Sequence, residues 1–324
     1  MIYNNIFKVS IVTAISSLMA PIAAAQAYPA KPIRIIVPLA AGGPGDVLTR
    51  AMGQKLSEQT SQPVVIDNRP GANTNVGTEF VAKAPADGYT LLSTANPLTT
   101  NPSLYPSLPY DPLRDFAPIT LIGLTPLLLV VHPSLPVKSA KDLIARAKAR
   151  PAQLNYGSAG NGSALHLAGE MFNSLARVKL VHVPYKGVTN AFSDLLGGQI
   201  SIMFPGAPIA LPQVKAGKLR ALGTMGEKRM AAAPDVPPVA ESGLPGYEVS
   251  VWYGVLAPAN TPGAVVSRLH TEISKIVQLP DIRERWMALG TEPLHNTPEQ
   301  YAAYLKADVG KWAKVVREAN VKID

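Results

Sequence analysis

The chain has 324 residues, 47% of them hydrophobic and 16% charged, with no cysteine and a formal net charge of +8. That is enough apolar material for one large or two ordinary cores. It excludes disulfides, thiolate metal sites, thiol catalysis and lipidation of an N-terminal cysteine. The basic residues are scattered, without a Lys/Arg run or interleaved aromatics, so no nucleic-acid-binding face is expected.

Residues 1–27 read as a leader outside the fold. Lys8 is its positive region, 9–24 its apolar stretch and Ala25-Gln26-Ala27 its cleavage signal. An N-terminal membrane anchor is the alternative, but the apolar run is shorter than the roughly 20 residues a span needs. Later in the chain the most apolar stretch, 121–131, is interrupted by Gly123 and Pro126. The expectation is a protein exported to the periplasm, with a mature chain starting at Tyr28. The 31 prolines sit singly at the ends of apolar segments, which fits many short strand–loop–helix connections.

The first element is a strand at 33–38, carried by Ile33, Ile35, Ile36 and Val37. A helical period follows at 47–59, with apolar residues at 47, 48, 51, 52 and 56. Between them Gly42, Gly43 and Gly45 let backbone amides approach a ligand. The helix N-terminus supplies unpaired N–H groups and about half a positive charge, a ready site for a carboxylate or phosphate. Asp46 reads as the N-cap of that helix. The rhythm continues with a strand at 64–66, a turn at 67–72, a helix near 75–84 and a strand at 89–93, an alternation that argues parallel strands with crossover helices. Residues 96–118 show no period and read as a long connection. Extended segments at 117–123 and 127–131 lead into a second unit. It has helices at 140–148, 164–176, 189–196 and 209–216 and strands at 154–157, 179–183, 200–204 and 219–224. A strand at 247–256 returns the chain to the first unit. Helices at 262–277, 281–289 and 298–319, with a short strand at 292–294, complete it. The expected division is 28–125 plus 250–324 against 126–249, with two crossings that form a hinge and a cleft able to close.

The stretch Ser158-Ala159-Gly160-Asn161-Gly162-Ser163 is a second glycine-rich turn between strand and helix, with Ser163 as the N-cap. Other constellations are weak. Gly43-Pro44-Gly45-Asp46-Val47-Leu48 has Leu48 in place of the third glycine of a dinucleotide fingerprint. There is no phosphate loop, no Gly-x-Ser-x-Gly elbow and no metal-ligand spacing among the five histidines. His166 reads as structural, one turn into its helix. His182 reads as a strand residue, Trp252 and Tyr253 as core, and Arg69 as a loop brace. Lys186 is a candidate cation at the cleft edge, or else an ordinary surface lysine. No cofactor or metal is expected.

Taken in order, several segments resemble the Bug family of extracytoplasmic solute receptors, the binding components of tripartite tricarboxylate transporters. They are Tyr28-Pro29-Ala30-Lys31-Pro32; Ala41-Gly42-Gly43 with Asp46; Asn68-Arg69-Pro70-Gly71-Ala72; Ala86-Asp87-Gly88-Tyr89; Asn155-Tyr156-Gly157-Ser158; His182-Val183-Pro184-Tyr185-Lys186-Gly187; and Gly243-Leu244-Pro245-Gly246-Tyr247. The resemblance implies an α/β, two-domain periplasmic binding protein of the Venus-flytrap type. Each domain would have a mainly parallel sheet, with a ligand cleft between the domains. It further implies a small carboxylate held by backbone amides and water, and a membrane permease as partner. A monomer is expected. Carried onto this chain, the ligand turns comprise Leu39, Ala41, Gly42, Gly43, Gly45 and Asp46 on one side. On the other they comprise Ser158, Ala159, Gly160, Asn161 and Ser163, with Lys186 and Pro205 at the edge. The chain departs from the family in two places. Pro44-Gly45 replaces two hydroxyl residues before Asp46, and Pro205 stands where many members have an Asp. The second departure implies a less cationic, more apolar or aromatic carboxylate. The alternatives are an exported sensor for a signalling partner and, with less support, an exported hydrolase.

Overall fold

The computed structural model describes residues 28–226, 228–230 and 232–321; the expected leader lies outside them. In chain order the elements begin β1 (Ile33–Val37), α1 (Pro44–Thr60), β2 (Val64–Asn68), α2 (Asn75–Ala82), β3 (Thr90–Ala95), α3 (Pro97–Leu104), β4 (Phe116–Pro126) and β5 (Leu128–Val131). They continue α4 (Ala140–Ala149), β6 (Asn155–Ser158), α5 (Ala164–Ala176), β7 (Val181–Pro184), α6 (Val188–Leu196), β8 (Ile202–Met203), α7 (Ala207–Lys215) and β9 (Arg220–Thr224). The last are β10 (Ser250–Pro258), α8 (Gly263–Gln278), α9 (Pro280–Ala288), β11 (Glu292–Pro293) and α10 (Pro298–Ala319). Local chemistry accounts for several starts. Ser139 caps α4 by accepting from the Asp142 amide. Thr297 and Gln300 form a reciprocal capping box on α10.

Two sheets organise the chain, with strand orders β11-β4-β10-β3-β1-β2 and β7-β6-β8-β5-β9. Both are mixed, where mainly parallel sheets were expected. Parallel pairing is confined to β2-β1-β3 and β7-β6-β8. The remaining pairs are antiparallel, because β4 carries the chain out of the first sheet and β10 brings it back alongside. Their ladder runs from Ser250 opposite Pro126 to Pro258 opposite Phe116.

The aperiodic stretch 96–118 contains α3, an unexpected helix. Its Leu98, Thr99, Thr100, Asn101 and Leu104 are buried, polar and apolar alike, so its burial leaves no hydrophobic period in the sequence. Helix α10 serves both sheets. Tyr301 and Leu305 pack with Trp252 and Leu256 of β10, whereas Trp312, Val315 and Val316 join the core of Phe172, Phe204 and Tyr247. The two ends of α10 therefore pack in different cores. Among the described residues no helix is long and apolar enough to cross a membrane.

Candidate functional site

The parallel strands of each sheet deliver their turns to one edge. In the first sheet Val37 lies opposite Asn68 and Ile36 opposite Leu92, so the segments after β1, β2 and β3 emerge side by side. In the second, Ser158 lies opposite Pro184 and Gly157 opposite Met203. This aligns the turn 158–163 with the loops 185–187 and 204–206. Ligands of open α/β sheets bind at such carboxyl-end crevices.

In the first turn, helix α1 begins at Pro44 and Gly43 is its N-cap. Asp46 is therefore not the cap. It lies in the first helical turn because Pro44, which has no N–H to satisfy, can open the helix two residues early. Its buried carboxylate accepts from the Gly42 amide (2.8 Å), Asn68 Nδ2 (2.9 Å) and Arg50 Nε (3.0 Å). Burial alone would push Asp46 up, but the hydrogen bonds from Arg50, Gly42 and Asn68 hold it below the usual carboxylate range. Its acceptor capacity is engaged inside the turn, so it shapes the turn and leaves an incoming anion to other groups. Among the described residues the amides of Gly45 and Asp46 find no protein acceptor. Leu39 and Gly43 are half-buried, and Ala41 and Gly42 are exposed.

Gly45 is buried against Leu39 and Tyr253; a Cβ there would sit 2.5 Å from Leu39 Cδ1 and 3.2 Å from Tyr253 Cε1. The Tyr253 hydroxyl, pushed up to about 12 chiefly by burial, faces Thr125. A Cβ on Gly206 would in turn sit 3.5 Å from Thr125 Cγ2. Buried Pro205, the neighbour of Gly206, accepts from the Leu128 amide at 2.9 Å. A continuous line of contacts thus runs from the first turn, through Tyr253 and Thr125 of the crossing strands, to the loop at Pro205. Sequence reading put Tyr253 in the core, and it does pack with Ile35 and Leu48. Its second contact, with Gly45, needs the register of β10 against β3, which pairs Tyr253 with Ala95.

In the second turn, Ser163 caps α5 by accepting from the His166 amide at 3.3 Å. Ser158 is fully buried; its Oγ accepts from the Gly160 amide at 3.1 Å and lies 2.6 Å from His182 Nε2. A serine–histidine pair was not visible in the sequence, because 24 positions separate the two residues and only the β6–β7 pairing joins them. The Ser158 hydroxyl is closed off from solvent, and one of its lone pairs is taken by the Gly160 amide. Ala159 and Gly160 are half-buried and Asn161 is exposed. A Cβ on Gly160 would meet the Tyr185 carbonyl at 3.3 Å, so the turn abuts the loop that carries exposed Lys186. Among the described residues there is no His/Asp/Glu group arranged to hold a metal.

A family model described as "Tripartite tricarboxylate transporter family receptor" matches residues 48–321. The chain is similar to Protein BugT of Bordetella pertussis, 38% identical over 317 residues that cover 97% of each chain. Among solved structures it is similar to R. palustris Rpa4515 with adipate, at a TM-score of 0.78 and 35% identity over 91% of this chain and 100% of that one. It is also similar to MatC from Rhodopseudomonas palustris with bound malate, at a TM-score of 0.75 and 30% identity over 89% of this chain and 100% of that one.

Proposed function

The chain belongs to the tripartite tricarboxylate transporter receptor family, and from that premise we propose that it is a periplasmic receptor for a small carboxylate, bound between the turns 39–46 and 158–163. The observation that carries this reading is the state of the first turn. Its polar side chain, Asp46, is engaged internally, while the amides of Gly45 and Asp46, in the first turn of α1, have no acceptor among the described residues. Backbone N–H groups at a helix start recognise a carboxylate without a cationic side chain. The bound adipate and malate of two relatives belong to the same chemical class.

In this reading 28–125 with 250–324 form one lobe and 126–249 the other, with α10 straddling both, and the loaded receptor delivers its acid to a membrane permease. Lys186 and Pro205 border the cleft from the second lobe, and Pro205 favours an apolar or aromatic acid over an amino acid. Thermal melting with adipate, malate, an aromatic monocarboxylate and an amino acid tests this. A ligand at about 100 times its Kd should stabilise the protein by about 2.7 kcal/mol, with the largest shift from an organic acid lacking an ammonium group. A clear preference for the amino acid would sink the specificity claim, and no shift with any carboxylate would sink the receptor reading.

A further inference from the structure

Two histidines lie directly behind the second glycine turn. His166, on α5, and His182, on β7, stack with ring centroids 3.8 Å apart and planes 11° from parallel. Each holds a different end of the turn. The Gly162 amide donates to His166 Nδ1 at 3.0 Å. His182 Nε2 lies 2.6 Å from Ser158 Oγ, and that oxygen accepts the Gly160 amide. We propose that this stacked pair is the positioning element of the second ligand turn: the two neutral imidazoles fix Ser158, Gly160 and Gly162, and thereby aim the turn's remaining amides, those of Ala159 and Asn161, at the bound carboxylate.

The chemistry is directional. An amide donor pointing at Nδ1 requires a lone pair there, so His166 carries its proton on Nε2. Ser158 has one hydroxyl proton, and its shorter contact is to His182 rather than to the Gly160 carbonyl at 3.1 Å. With Ser158 donating to His182 Nε2, the ring carries its own proton on Nδ1; with His182 donating instead, the Ser158 proton goes to the Gly160 carbonyl. The contact from the Gly162 amide requires a neutral His166. Protonating His166 sets a donor against the Gly162 amide. Protonating His182 makes Nε2 a donor to Ser158. Two stacked imidazolium rings would repel.

The surroundings favour the neutral pair. Burial pushes His166 down to about 3, with the neighbouring His182 adding to it, and burial pushes His182 down to about 4. The groups facing the pair come from every packed element. From α5 comes Glu170, whose Oε1 is 4.0 Å from His166 Nε2 and whose carboxyl is itself pushed up chiefly by burial. From β6 comes Tyr156, stacked on His182 at 5.0 Å and donating to Glu170 at 2.6 Å. His182 also lines a surface cleft of about 550 Å³ whose charged residues include Arg177, Lys179 and Glu318. A depressed histidine makes the folded state most stable above its unfolded value of about 6.5, and that stability is lost as pH falls toward the folded value. The brace should therefore stay intact in the folded protein at neutral pH and loosen only near the folded values of about 4 and 3, while its contribution to stability is already falling below about pH 6.5.

What the turn binds rests on the receptor reading; the brace itself does not. The test uses the full mature protein with adipate and malate as probes, and the variants His166→Phe, His182→Phe and His182→Gln. Phenylalanine keeps a stacking ring without an acceptor; glutamine keeps a polar partner for Ser158. Carboxylate affinity at pH 7.5 should fall at least about tenfold in the two Phe variants, the equivalent of one lost hydrogen bond to the turn, with partial recovery in His182→Gln. In the unliganded protein, the Gly160 and Gly162 amide resonances should move with pH at the midpoints of the imidazole resonances, and should stop doing so in the Phe variants. Affinity within twofold of the parent, with unchanged amide shifts, would overturn the proposal. If the parent binds no carboxylate at all, the receptor reading fails while the amide shifts still decide the brace.

Discussion

At the scale of single residues, the first turn works through what it lacks. Gly45 has no side chain because Leu39 and Tyr253 already occupy that space. Gly43 must be preceded by Gly42 at φ +78°, a conformation a proline at 43 would disfavour in its predecessor. Gly45→Leu should lower stability by about 1–3 kcal/mol through overpacking, and with Gly43→Pro should abolish carboxylate binding by calorimetric titration. Full affinity in either variant would move the site elsewhere. The glycines and Asp46 were legible in the sequence as a turn. The bracing partner Asn68 was not, because it stands on a neighbouring strand and reaches Asp46 only through the β1–β2 register.

At the scale of elements, α5 and α10 make a useful contrast. Both contain a glycine where alanine has the better helix propensity by about 1 kcal/mol. Gly169 of α5 faces the ring of Tyr156, and any Cβ would run into it. Gly310 of α10 is exposed, with nothing near its Cβ position. Gly310→Ala should raise the denaturation midpoint, whereas Gly169→Ala should lower it, since overpacking of about 1–3 kcal/mol outweighs the propensity gain. Chemical denaturation of both variants would check this; a stabilised Gly169→Ala would mean Tyr156 has room to move. Helix α10 was read from the sequence with both ends as observed, 298–319, because its amphipathic period is a local signal. Helix α3 was missed because burial on all sides erases that period.

At the scale of the whole molecule, the connection between the lobes is more than the two crossing strands. Helix α10 inserts Trp312 into the core behind the second sheet while Tyr301 packs against β10 of the first. Asp308, between them, accepts from Thr99 Oγ1 at 2.7 Å and Trp252 Nε1 at 3.0 Å. With this tie the protein should unfold in one calorimetric transition. Trp312→Ala should remove about 3–5 kcal/mol and separate the melting of the two sheets. A single, little-shifted transition in that variant would show that the crossing strands alone couple the lobes.

The chain by itself determined its α/β class, the rhythm of strands and helices, the two glycine turns and the family resemblance. Each of these is written in composition, in short-range periodicity or in motifs of adjacent residues. Tertiary structure alone decided which strands run antiparallel, that α10 serves both cores, that Tyr253 and Thr125 link the first turn to Pro205, and that Ser158, His182 and His166 form one unit. Those relations join residues tens to hundreds of positions apart. A periodic pattern records which face of an element is buried; it does not record what that face is buried against.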